Sequence, residues 1–250
     1  MNAPDLHTET SSDGVIEREF AVDGIPGTLW SPTDPTDPPA LILMGHGGGL
    51  HRRLPAQIRR AEQSVRAHGF TVASIDAPGH GGRPRSADDE TWVAAIGHAR
   101  RNGEPLAPII ADLNSSLAER AVPEWRRVLD ALQQLPDIGT DTPVGYAGMT
   151  LGTAIGIPLV AADSRISAAM FGGYFDYDSL VESARRVTIP VDVIVSWDDP
   201  EIPRDAALRL FDAIGSDDKM LRAHVGTHKR IPAHEGEHTA LFFRQHLRGE

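Results

Sequence analysis

The stretch Val144-Gly145-Tyr146-Ala147-Gly148-Met149-Thr150-Leu151-Gly152 decides how this chain folds. Its first residues make a short apolar run suited to a buried strand, and Thr150 to Ala162 has the composition of a buried helix. At the junction a single hydroxyl, on Thr150, stands between Gly148 and Gly152. A sharp strand-to-helix turn lifts such a hydroxyl clear of its neighbours, where a base can reach it and a carbonyl can approach. This is the layout of a nucleophile elbow, with G-M-T-L-G in place of G-x-S-x-G, and it points to acyl-transfer chemistry. Threonine is costly there, because a β-branched side chain is stiff at χ1 and resists the strained backbone of the turn. In the plainer reading Thr150 is a helix N-cap and the glycines serve close packing of helix on strand.

Outward from this segment the pattern repeats. Toward the N-terminus, Val15 to Val22 alternates apolar and charged residues as a half-exposed strand does, Asp23-Gly24 reads as a hairpin turn, and Ile25 to Trp30 returns as a second strand. Ser31 to Pro39 is a proline-rich surface connection, and Ala40 to Gly45 suits a strand buried on both faces. Pro55 to His68 has helical spacing, stops at Gly69 and leads into the strand Phe70 to Ile75. The alternation continues with helix Leu117 to Leu135, strand Pro143 to Tyr146, the helix after Thr150, and strand Ile166 to Phe171. Strand Val191 to Ser196, helix Arg204 to Ile214, strand Met220 to His224 and a closing helix from Pro232 to Leu247 complete it. Repeated strand-helix units predict an α/β fold: a doubly wound, mostly parallel sheet with an N-terminal antiparallel hairpin. One domain is expected over residues 15–250, preceded by a flexible segment at 1–14. Residues 81–116 lack clear periodicity and are read as a short lid insertion over the site.

Composition narrows the function. Among 250 residues, 24 Lys and Arg face 35 Asp and Glu, a net charge of -11 that argues against nucleic acid or an anionic membrane as partner. There is no cysteine, which excludes disulfides, thiolate catalysis and cysteine-bound metals. Met1 to Gly14 has neither a basic nor an apolar signal region, and the apolar runs are too short to span a bilayer, so a cytoplasmic protein is expected. A small molecule is the expected partner, with self-association left open.

In an open α/β sheet ligands bind beyond the carboxyl ends of the strands, and four segments lie there. His46-Gly47-Gly48-Gly49 offers backbone amides that could approach an oxyanion closely. In the elbow the amide of Leu151 would add a second donor, with the helix dipole behind it. Ser196-Trp197-Asp198-Asp199-Pro200-Glu201-Ile202-Pro203 offers a carboxylate able to orient an imidazole, and Gly226-Thr227-His228 offers the imidazole. Hydroxyl, then acid, then histidine, each after a strand, is the triad order of one large hydrolase family. His46, Met149, Tyr174 and Trp197 are the candidates to line a substrate pocket.

With G-H-G-G-G at Gly45 to Gly49, I-D-A-P-G-H-G at Ile75 to Gly81, the elbow, W-D-D-P-E-I-P at Trp197 to Pro203 and G-T-H at Gly226 to His228, the chain resembles the α/β-hydrolase superfamily. The likeness spans about Val15 to Leu247 and is strongest to compact bacterial esterases and dienelactone-hydrolase-like members. It implies a nucleophile at Thr150, an acid at Asp199 in preference to Asp198, a base at His228, and oxyanion donors at the Gly48 and Leu151 amides. It also implies cleavage of a carboxylic ester, lactone or thioester with no metal or organic cofactor. Threonine departs from the usual serine. That leaves a non-hydrolytic lyase- or cyclase-type reaction, or a catalytically silent binding protein, as alternatives. His234-Glu235-Gly236-Glu237-His238 is a literal H-E-x-x-H, which would make a zinc hydrolase of His234, Glu235 and His238, although a glycine interrupts it and no third ligand is evident.

Overall fold

A computed structural model describes residues 3–35 and 38–250; Met1, Asn2, Thr36 and Asp37, and the expectations that fall on them, lie outside the described residues. Nine strands, among the described residues, form one sheet in the order β1-β2-β3-β5-β4-β6-β7-β8-β9. The first three, β1 (Asp5–Ser12), β2 (Val15–Val22) and β3 (Ile25–Pro32), run antiparallel, and β3 pairs antiparallel with β5 (Thr71–Ile75). From there β4 (Leu41–Gly45), β6 (Val144–Met149), β7 (Ile166–Gly172), β8 (Val191–Ser196) and β9 (Lys219–His224) continue in parallel. The doubly wound α/β sheet with its antiparallel start is therefore present, and it gains an extra edge.

That edge corrects the reading of the N-terminus as a flexible segment. Asp5–Ser12 is a strand paired residue by residue with β2. All eight residues are exposed, so no apolar face announces it, and main-chain hydrogen bonds hold it. Asp13 and Gly14 both take positive φ, 49° and 79°, as do Asp23 and Gly24, at 50° and 77°. Both turns therefore carry the two successive positive φ values of the tight hairpin turn that suits twisted strands.

Two apolar layers sandwich the sheet. On one face α1 (Pro55–His68) and α7 (Ala233–Arg248) pack Val65, Phe242 and Phe243 onto Ile42, Met44 and Ala147. The other face carries α3 (Ala107–Leu132) and α4 (Leu151–Ala162), with Trp125, Leu129 and Ile155 against Leu43, Tyr146 and Phe171. Beyond them lie α5 (Asp178–Ala184) and α6 (Arg204–Ala213). The aperiodic segment 81–116 proves helical: α2 (Ala87–Asn102) starts at a capping box between Ser86 and Asp89, and α3 begins at Ala107, ten residues before its apolar stripe. Both helices lean over the carboxyl ends of the parallel strands, and among the described residues no helix is long and apolar enough to cross a membrane.

Candidate active site

Thr150 links the end of β6 to the start of α4 at φ 53° and ψ -112°, and its side chain makes no capping hydrogen bond. A β-branched residue at positive φ is a true outlier, costing of order 1–3 kcal/mol unless its surroundings enforce it. Here they do. Its amide donates to Gly172 O at 2.8 Å, while its carbonyl accepts from Thr153 N and Ala154 N at 3.0 and 3.1 Å. Behind the turn the buried Thr153 hydroxyl lies 2.8 Å from both Gly148 O and Gly172 O and accepts from Gly172 N at 3.0 Å, tying the ends of β6 and β7 together. With the N-cap role unfilled, the Thr150 hydroxyl is left to the cavity.

Two glycines make room for that side chain. A Cβ on Gly47 would stand 2.8 Å from Thr150 Oγ1, so the loop after β4 passes close to the hydroxyl only because residue 47 has no side chain. A Cβ on Gly173, itself at φ 61°, would lie 3.2 Å from both Thr150 Cγ2 and His228 Cβ. The elbow and the histidine thus flank one bare stretch of backbone.

His228 is fixed from behind. Its Nδ1 lies 2.6 Å from Asp199 Oδ2, and its own amide donates to the same oxygen at 2.5 Å. Asp199 Oδ1 accepts from Glu201 N at 2.8 Å and Ile202 N at 3.0 Å. Burial would raise the Asp199 pKa, but these amide donors and the ring hold it below the usual carboxylate range. A carboxylate can only accept, so the proton of a neutral His228 sits on Nδ1 and its Nε2 keeps a lone pair. Asp198 is exposed and has no such partners.

A cavity of about 450 Å3 joins these groups, with Gly48, Thr150, Leu151 and His228 in its wall. Leu151 opens α4, so its amide has no partner within the helix and adds the positive end of the helix dipole. The Gly48 backbone faces it: a Cβ on Gly48 would sit 3.8 Å from Leu151 Cβ. The roof is α2 and the start of α3, which contribute Val93, Ile96, Ile110, Leu113 and Asn114, residues that sequence reasoning did not single out.

Of the four pocket candidates only Tyr174 lines this cavity; its buried hydroxyl donates to Ala207 O at 3.0 Å. Met149, one residue before the elbow, faces the opposite side of the sheet, as strand alternation requires. Trp197 is exposed and stacks under Arg204, whose guanidinium carbon is 4.9 Å from the ring centroid. His46 is buried and acts as a pin: Ala77 N donates to its Nε2 at 3.0 Å, and its Nδ1 donates to Gly47 O at 2.9 Å. Both nitrogens are committed to holding the loops after β4 and β5 together.

Burial pushes the His46 pKa down from 6.5 to about 4. The folded state therefore binds its proton less readily than the unfolded chain. The stabilisation is complete above about pH 6.5 and fades as pH falls toward 4, amounting to about 3 kcal/mol. His46→Leu should cost about 1–3 kcal/mol at neutral pH, because the Ala77 amide loses its acceptor, and should remove that part of the acid sensitivity. Urea unfolding at neutral and at mildly acidic pH checks both.

The H-E-x-x-H residues do not make a metal centre. Glu235 is buried in an ion pair with Arg222, which also grips the buried Asp192, while His234 and His238 sit half in solvent. Among the described residues no three His, Asp or Glu side chains converge as metal ligands. The motif is explained by the Arg222 network.

No family model matches the chain, and no curated sequence does. Among solved structures it is similar to a PEG-bound, cold-adapted esterase from an Arctic intertidal metagenomic library. The identity is 27% over 96% of this chain and 98% of that one, with a TM-score of 0.75. The chain belongs to the α/β-hydrolase superfamily. Its fold is shared with a dienelactone hydrolase from Anabaena variabilis ATCC 29413, at 18% identity, 99% and 100% coverage and a TM-score of 0.65. It is also shared with acetyl xylan esterase 1 from Thermoanaerobacterium sp. JW/SL YS485, at 14% identity, 98% and 88% coverage and a TM-score of 0.70. For this α/β-hydrolase the order of Thr150, Asp199 and His228 along the chain is also the order of the strands that carry them, β6, β8 and β9.

Proposed function

We propose that the chain hydrolyses carboxylic esters of small or medium size, with Thr150 as nucleophile, His228 as general base and Asp199 as the carboxylate that orients it. The observation that carries this reading is the strained Thr150 backbone. A threonine held at φ 53° with its hydroxyl free of any cap, in one cavity with a carboxylate-bound imidazole, has no structural benefit to set against its cost. The sequence of steps follows from the positions. His228 Nε2 takes the hydroxyl proton as Thr150 Oγ1 attacks the ester carbonyl, and the Gly48 and Leu151 amides hold the resulting oxyanion. His228 then returns the proton to the leaving alcohol, and water repeats the cycle on the acyl-enzyme. No metal or cofactor enters this scheme.

In the same reading α2 and the first turns of α3 are the lid, and their apolar side chains set which acyl or alcohol group fits. The test is a panel of p-nitrophenyl esters of increasing chain length. A cavity of about 450 Å3 predicts the highest kcat/KM for short to medium acyl groups and a steep fall for long-chain esters, with activity unchanged by chelators. Binding of the esters without turnover would instead favour a silent binding protein, and loss of activity on chelation would overturn the triad.

A further inference from the structure

The face of the sheet away from the elbow holds a second cavity of about 180 Å3, between α1 and α7. Its floor is made by Met44, Met149 and Met170 from the adjacent strands β4, β6 and β7. The gap exists because Ala147 on the floor and Gly236 and Ala240 on α7 are small where the facing helix leaves room. Native interiors are close-packed and seldom keep apolar space of this size, whereas a dry cavity on the order of 150 Å3 takes up benzene. The volume therefore suits a body of about six carbon atoms, seated on three polarisable thioethers.

The rim supplies a charge and an orphan polar atom. Arg60, Ser64 and His68 recur every fourth residue on α1 and line the same wall. Arg60 makes no hydrogen bond or ion pair among the described residues, in a chain of net charge -11 where most arginines are paired. His68 is nearly all buried; its Nε2 faces Glu237 at 3.3 Å, but its Nδ1 has no partner. The acid on this wall, Glu235, is already taken by Arg222. The Glu237 carboxylate can only accept, so the His68 proton sits on Nε2 and Nδ1 is an acceptor, which leaves an anion to Arg60. An unpaired guanidinium at the exposed rim of an apolar floor matches a ligand with one carboxylate and a short hydrocarbon body.

We propose that this cavity binds small monocarboxylates, such as hexanoate or benzoate, with the carboxylate on Arg60 and the hydrocarbon against the three methionines. The site is separate from the catalytic cavity and does not depend on the hydrolase chemistry. Hexanoate, followed by saturation-transfer NMR and by calorimetric titration on the intact protein, tests it. Saturable binding is expected, with affinity lowered roughly tenfold in Arg60→Gln, as loss of a charge-assisted contact implies. Hexanol should bind wild type and Arg60→Gln equally. Ala147→Leu should abolish hexanoate binding by filling the floor. Gly236→Leu should do the same from the helix side, and there leucine favours the helix, so the fold is retained. Ile110→Trp, in the catalytic cavity, should leave hexanoate affinity unchanged. No binding to wild type overturns the proposal. So does affinity indifferent to Arg60→Gln and to both filling variants, or affinity lost in Ile110→Trp, which would place hexanoate at the catalytic centre.

Discussion

Thr150→Ala should lower kcat on p-nitrophenyl butyrate by on the order of a thousandfold or more, while Thr150→Ser keeps or raises it. Alanine removes the attacking oxygen, and what survives in such sites is the contribution of binding and the oxyanion donors alone. Serine keeps the oxygen and removes Cγ2, the methyl that, like His228 Cβ, lies 3.2 Å from where a Cβ on Gly173 would stand. That change has two favourable consequences. The unbranched side chain pays less at φ 53°, and its hydroxyl gains rotamers with which to reach both the imidazole and a substrate carbonyl. Misplacement of a nucleophile by about 1 Å can cost on the order of a hundredfold, so the gain from serine reports how far the methyl holds the hydroxyl from its best position. Steady-state rates on the purified variants, with intact-protein mass measured after mixing to detect an acyl-enzyme, check the prediction. Thr150→Ala activity within about tenfold of wild type would remove Thr150 as nucleophile.

Much of this architecture is legible in sequence because each signal has a local cause. Val15–Val22, Pro55–His68 and Val191–Ser196 occur with the bounds that alternation, helical spacing and apolar runs predict. What was illegible has a physical reason too. The strand at Asp5–Ser12 has no buried side chain, so period-2 patterning is silent, and only the Asp13-Gly14 turn, a repeat of the Asp23-Gly24 signal, betrays it. The helix Ala87–Asn102 shows weak amphipathicity because its inner face lines a cavity instead of a core: Val93 and Ile96 stay partly accessible there, and only Asp89 and Ala99 are buried. At seven residues, Asp178–Ala184 is too short for two periods of a helical pattern.

The site follows the same division. Strand-end positions can be read from sequence, which is how Thr150, Asp199, His228, Gly48 and Leu151 come to be named and are found around one cavity or bonded into it. The face on which a strand-end side chain emerges depends on alternation counted through the turn. His46 and Met149 therefore fall behind the site, and Trp197 falls outside it. The roof residues Ile110, Leu113 and Asn114 come from a segment whose helices are placed by tertiary packing, so nothing in their spacing marks them.

Asp199→Asn should reduce kcat by on the order of a thousandfold to ten-thousandfold, whereas Asp198→Asn stays within about twofold of wild type. The reason lies in the donor count. Four N–H groups point at the Asp199 carboxylate: His228 N and Nδ1 at Oδ2, and Glu201 N and Ile202 N at Oδ1. Asparagine can present one oxygen and one NH2, so in either orientation two donors face a donor. If the NH2 turns toward His228, the ring must accept at Nδ1 and carry its proton on Nε2, where it can no longer take one from Thr150. If it turns toward the loop, the Glu201 and Ile202 amides lose their acceptor and the loop that positions residue 199 loosens. Either way stability should fall by about 1–3 kcal/mol along with the rate, because buried donors are left unmet. The pH profile separates the roles. Since the wild-type carboxylate is held below its usual range, it stays ionised across the mildly acidic range, and its own protonation should contribute no inflection to kcat/KM there. An Asp199→Asn enzyme that keeps its rate while Asp198→Asn loses it would transfer the orienting role to the neighbouring carboxylate.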